Sequence, residues 1–129
     1  MAARSFLGLS VLVWLPYGLW CFLDPAQLAG SAGVGFLSPT GSTELRAMYG
    51  GLQAALGALA LGGVLRASLE RPALIALLFL TSGLASARIS GVFLDGSPSF
   101  YTIAGLGFEV TTAAIAGWLL ARSPLTPAR

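Results

Sequence analysis

The sequence predicts an all-α integral membrane protein, a four-helix bundle with both termini on the cytoplasmic side. Three observations carry that reading. First, 56% of the 129 residues are hydrophobic and only 9% are charged. A soluble domain carries about 25% charge, so this chain has too little polar surface to cover a water-facing globule. Second, four apolar stretches of about twenty residues follow one another, and each would make a helix about 30 Å long, one bilayer core. Third, the arginines cluster on one side of a four-span arrangement, as the positive-inside rule requires of the cytoplasmic face.

The first span runs from Arg4 to Leu23, with no charge after Arg4. It is too long for the apolar core of a signal peptide and no clean A-x-A site follows it, so a transmembrane helix is expected. Pro16 should kink it, and Trp14, Tyr17 and Trp20 give one half an aromatic character. Asp24-Pro25 stops it and starts a short interfacial turn through Leu28. Residues 29–43, rich in Gly, Ser, Thr and Pro, read as a loop.

The second span, Glu44 to Arg66, is expected to be capped by Ser42 or Thr43. A polar turn, Ala67 to Arg71, leads to the third, Pro72 to Leu94, where Pro72 suits the first helical position. Asp95-Gly96-Ser97-Pro98 is a turn signal. The fourth span, Ser99 to Ala121, opens on Phe100 and Tyr101 and has Trp118 near its other end. The tail, residues 123–129, carries two prolines and is expected to be disordered. Small-residue strips at Gly51/Ala55, Gly83/Ala87/Gly91 and Ala113/Gly117 offer faces on which helix backbones could approach closely.

Charge placement orients the chain. Arg4, Arg66, Arg71, Arg122 and Arg129 fall on one side, with only Glu70 against them. The other side carries Asp24, Glu44 and Asp95, with Arg46 at a helix start.

Composition also excludes chemistry. Histidine is absent and Cys21 is the single cysteine, so no intramolecular disulfide, Cys/His zinc site, histidine-ligated haem or Ser-His-Asp catalysis is available. No cofactor or metal site is expected. Without lysine there is no P-loop, and Gly105-Leu106-Gly107 lacks the third glycine of a dinucleotide loop. The cations form no basic run, which argues against nucleic acid as a partner. Cys21, between Trp20 and Phe22, reads as a small buried hydrophobe.

Two charges lie inside the apolar spans, and charge at such depth is costly enough to mark a buried pair or a functional site. Arg88 lies about 10 Å from the Asp95 end of the third span and Glu109 about 15 Å from the corresponding end of the fourth. An arginine side chain covers that difference. Spacing adds neighbours: Arg46, Tyr49 and Gln53 form one helical stripe, Thr81, Arg88 and Asp95 a second, and Thr102, Glu109 and Thr112 a third. The expected site is therefore Arg88 and Glu109 as a direct or bridged pair, with Gln53, Tyr49, Arg46 and Asp95 as further binding candidates. A plainer possibility is that the pair only holds helices together, its hydrogen bonds completed by neighbouring polar groups.

The stretch Thr43-Glu44-Leu45-Arg46-Ala47-Met48-Tyr49-Gly50-Gly51-Leu52-Gln53 resembles the DUF4345 family of small bacterial membrane proteins. Asp24-Pro25 after the first span, Arg88 in the third, Leu94-Asp95-Gly96 at its end and Glu109 in the fourth extend the likeness over nearly the whole chain. The resemblance implies a four-helix protein of the bacterial cytoplasmic membrane whose polar residues form a shared signature, and it supplies no reaction.

Three functions compete. One is a binding or accessory protein that holds a lipid-like or small apolar ligand, or docks a larger membrane complex, through the polar residues. Another is a membrane enzyme acting on an isoprenoid, quinone or other lipid, with Glu109 as acid/base. A third, a transporter or channel subunit, requires a homo-oligomer, because four helices are few for a transport path.

Overall fold

The computed structural model describes residues 1–96 and 98–122. Among them all regular structure is helical, and four helices are long and apolar enough to cross a membrane. They are α1 (Ala2–Leu23), a run formed by α3 (Pro39–Leu45), a π-helical turn (Arg46–Gly51) and α4 (Leu52–Leu65), then α5 (Ala67–Asp95) and α6 (Phe100–Arg122). A short α2 (Gln27–Ala32) follows α1. The expected tail lies outside the described residues. The chain divides into two compact units, residues 3–73 and residue 74 onward, and α5 runs from one into the other.

In the first unit α1 packs antiparallel on the second span through glycine. A methyl group on Gly50 would stand 2.7 Å from Phe22 Cα, and one on Gly18 2.8 Å from Ala54 Cα. On Gly57 it would stand 2.8 Å from Leu15 Cα. Backbones approach this closely only where no side chain intervenes, which in lipid is a main source of helix association. The strip is not the expected Gly51/Ala55. Gly51 and Ala55 lie on the exposed side, one residue round from the buried Gly50. At the far end Leu7 fills the space over Gly63, and Arg4 pairs with Glu70 at 3.3 Å. Cys21 is buried and free, as its apolar neighbours require, and accepts a hydrogen bond from Gln27 Nε2 at 3.1 Å.

Two boundaries differ from expectation. The loop at 29–43 is mostly helix: α2 ends on Gly33 in the left-handed conformation, and the second span begins at Pro39. Ser38 caps it by accepting from Gly41 N at 3.1 Å, with Pro39 in the first turn. Ser-Pro is a helix-start signal that the Gly- and Thr-rich composition around it conceals. Likewise α5 starts at Ala67, leaving Pro72 inside it. Leu69 there packs on Gly62, where a methyl group would lie 2.9 Å from Leu69 Cδ1. The fixed φ of Pro72 suits a helix, and the residue lies near the start of α5.

In the second unit α5 and α6 form an antiparallel hairpin. Leu78 meets Gly117 near one end, and Arg88 meets Glu109 toward the other. Leu74, Leu77, Ala116 and Leu119 are buried along it. Among the described residues a methyl group on Gly83 would meet nothing within 4 Å, and Gly83 and Ala87 are exposed, while Gly91 of that strip is half-buried. Arg122 lies over Trp118 at 4.0 Å, joining an arginine and an aromatic at the end of the span.

Candidate functional site

The site grows from α5. Arg88, Gly91, Val92 and Asp95 are spaced i, i+3, i+4 and i+7, one face of the helix. With Thr102 of α6 they line an open cleft of about 230 Å³ near the ends of α5 and α6. The face runs from buried Thr81 through partly exposed Arg88 to exposed Asp95.

Arg88 is the organised residue. Its Nε donates to Glu109 Oε1 at 2.7 Å, a short, charge-assisted bond. The Arg88 side chain is 26% exposed and that of Glu109 only 4%. The pair thus has a buried anchor and an accessible head. Helical side chains lean toward their own N-terminus, which carries Arg88 down to Glu109 despite their different depths. The Tyr101 ring lies 5.5 Å from Arg88 Cζ, within cation–π range. Gly105 closes the setting: a methyl group there would sit 3.0 Å from Arg88 Cζ and 3.1 Å from Nε. The guanidinium therefore lies against bare α6 backbone.

The rest of the hairpin end is satisfied locally. Ser99 Oγ accepts from Thr102 N at 3.2 Å, capping α6, and lies 2.9 Å from Thr102 Oγ1. The Thr81 and Thr112 hydroxyls donate to the Leu77 and Phe108 carbonyls of their own helices. Glu109 Oε2 is buried with no hydrogen-bond partner among the described residues. Among them, too, no ion pair engages Asp95 and no cluster of His, Cys, Asp or Glu could hold a metal.

Of the residues expected to form one site, the structure joins Arg88 directly to Glu109 and puts Asp95 on the same cleft as Arg88. Arg46, Tyr49 and Gln53 lie in the other unit. There Arg46 Nη1 donates to the Phe22 carbonyl and, at 3.2 Å, to that of Leu23. A cation on the last carbonyls of α1 satisfies orphan acceptors and complements the helix dipole. Arg46→Ala should accordingly lower the unfolding free energy of the detergent-solubilised protein by about 1 kcal/mol. An unchanged denaturation midpoint would contradict that role.

Gly105 and Tyr101 were not singled out as site residues from sequence. One trace of Gly105 was available, since Arg88 and Gly105 come to the same level if α5 and α6 are antiparallel. Nothing in the sequence pointed Tyr101 at Arg88 rather than at the interface.

No curated protein and no solved structure matches the chain. The sequence profile of DUF4345, described as a domain of unknown function, matches residues 2–120. That span takes in both the glycine-packed first unit and the Arg88–Glu109 pair, so the site described here lies within the matched residues, and the chain belongs to the DUF4345 family.

Proposed function

We propose that this protein is a membrane-embedded binding protein that holds the polar headgroup of a lipid-like molecule in the α5–α6 cleft, with Arg88 as the principal donor. One observation carries the reading. The Arg88 guanidinium is fixed by a buried carboxylate, an aromatic ring and a bare glycine, yet still forms a wall of an open cleft. A pair serving only as glue gains nothing from an accessible guanidinium, whereas a donor positioned in advance lowers the cost of binding. Val92 gives the cleft an apolar wall, and α5 and α6, which bound it, are apolar enough to lie in hydrocarbon. Glu109 is buried and does not line the cleft, which favours a positioning role over proton transfer to a substrate.

The same reading sets the protein in the bacterial cytoplasmic membrane with both termini inside and the cleft toward the outer leaflet. Five arginines against one acidic residue on the inner side support it. The first test is native mass spectrometry of the protein purified in mild detergent. Wild type should carry lipid-mass adducts, and Arg88→Gln should lose most of them; equal adducts on both would overturn the reading. The topology is tested separately. Cysteines placed at the exposed Ser38 and Ser68, with Cys21 replaced, should react with an impermeant reagent from outside and from inside respectively. Labelling of Ser68 from outside would reverse the orientation.

A further inference from the structure

The cleft carries a second charge, and it narrows the class of headgroup. Arg88 is already neutralised by Glu109 at 2.7 Å. Asp95, on the same cleft and exposed, takes part in neither ion pair found among the described residues. Arg88, Glu109 and Asp95 therefore sum to one net negative charge. A purely anionic ligand would meet the Arg88 donor but also the field of a carboxylate in no ion pair among the described residues, and like charges disfavour each other.

A ligand with both signs meets neither objection. Seven residues of helix separate Arg88 from Asp95, about 10 Å along the axis. The guanidinium turns back toward Glu109, so a phosphate on Arg88 and an ammonium on Asp95 would sit at separate levels of the one cleft. Thr102, opposite this face, shares a hydrogen bond with Ser99 Oγ, and with Ser99 as its donor the Thr102 proton is left for a phosphate. Resting on the headgroup reading above, we infer that the cleft selects a zwitterionic phospho-ammonium headgroup, its phosphate on Arg88 and Thr102 and its ammonium on Asp95. The cleft lies between two helices long and apolar enough to cross a membrane, which makes a membrane lipid the source of that group rather than a soluble molecule.

The test uses the full chain in detergent with equal amounts of phosphatidylethanolamine and phosphatidylglycerol, bound lipid being read by native mass spectrometry. Wild type should carry the zwitterionic lipid in excess by up to about fivefold, the upper end for one solvent-exposed ion pair. Asp95→Asn should bring the ratio close to one. Equal or reversed preference in wild type, or a ratio unmoved by Asp95→Asn, overturns the zwitterion inference while Arg88-dependent lipid binding still stands. Lipid binding that ignores Arg88 overturns both. Displacement of the lipid by glycerophosphoethanolamine at equal concentration overturns the lipid as the source.

Discussion

Replacing either Arg88 or Glu109 alone by leucine is expected to destabilise the protein by about 3–5 kcal/mol, the usual cost of stranding one partner of a buried pair. The two changes should not be equal. Arg88→Leu leaves a carboxylate whose side chain is 4% exposed, while Glu109→Leu leaves a guanidinium that is 26% exposed and retains the Tyr101 ring. An arginine near a helix end can also move its head toward the interface. Arg88→Leu therefore belongs at the upper end of the range. The double variant should recover most of the loss, because two apolar side chains of similar size remove both desolvation penalties together. Unfolding in mixed micelles, followed by circular dichroism, gives the three values. Single variants as stable as wild type would show that the two groups do not depend on each other.

A comparable loss is expected from one methyl group at the α1 contact. Gly50→Ala places a carbon 2.7 Å from Phe22 Cα and 2.8 Å from Phe22 N, and Gly57→Ala places one 2.7 Å from Leu15 Cβ. These neighbours are backbone or backbone-fixed atoms, so relief requires moving a helix, not rotating a side chain. Overpacking of this kind costs about 1–3 kcal/mol, and more where the backbone cannot yield. Gly83→Ala is the control, since nothing lies within 4 Å of its added carbon. It should leave stability unchanged or raise it by up to about 1 kcal/mol, because alanine is the better helix former. A loss at Gly83 as large as at Gly50 would show that helix flexibility, not contact, sets the effect.

These two sites also show what the sequence could and could not reveal. Because lipid demands long apolar helices with every backbone group satisfied internally, hydropathy revealed four helices long and apolar enough to cross a membrane, though not the starts of two of them at Pro39 and Ala67. The Arg88–Glu109 pair was legible for a similar reason: two costly charges at compatible depth on consecutive antiparallel helices have few alternatives. The packing strip was not. Seventeen glycines offer many matches to small-xxx-small spacing, and whether Gly50 or Gly51 faces α1 is a question of helix rotation. The Arg46 cap was hidden because its acceptors are main-chain carbonyls, which leave no trace in side-chain identity. Ser38-Pro39 was readable, but the glycine and threonine after it carried more weight than one capping serine.

The central claim is that the Arg88–Glu109 pair presents a binding group and does not merely join α5 to α6. Lipid occupancy of the Arg88→Leu/Glu109→Leu double variant tests it most directly, measured by native mass spectrometry on protein first shown to be as helical as wild type. The account predicts a folded protein stripped of the lipid that wild type retains. A folded double variant carrying that lipid at wild-type occupancy would contradict it, and would reduce the pair to a structural link.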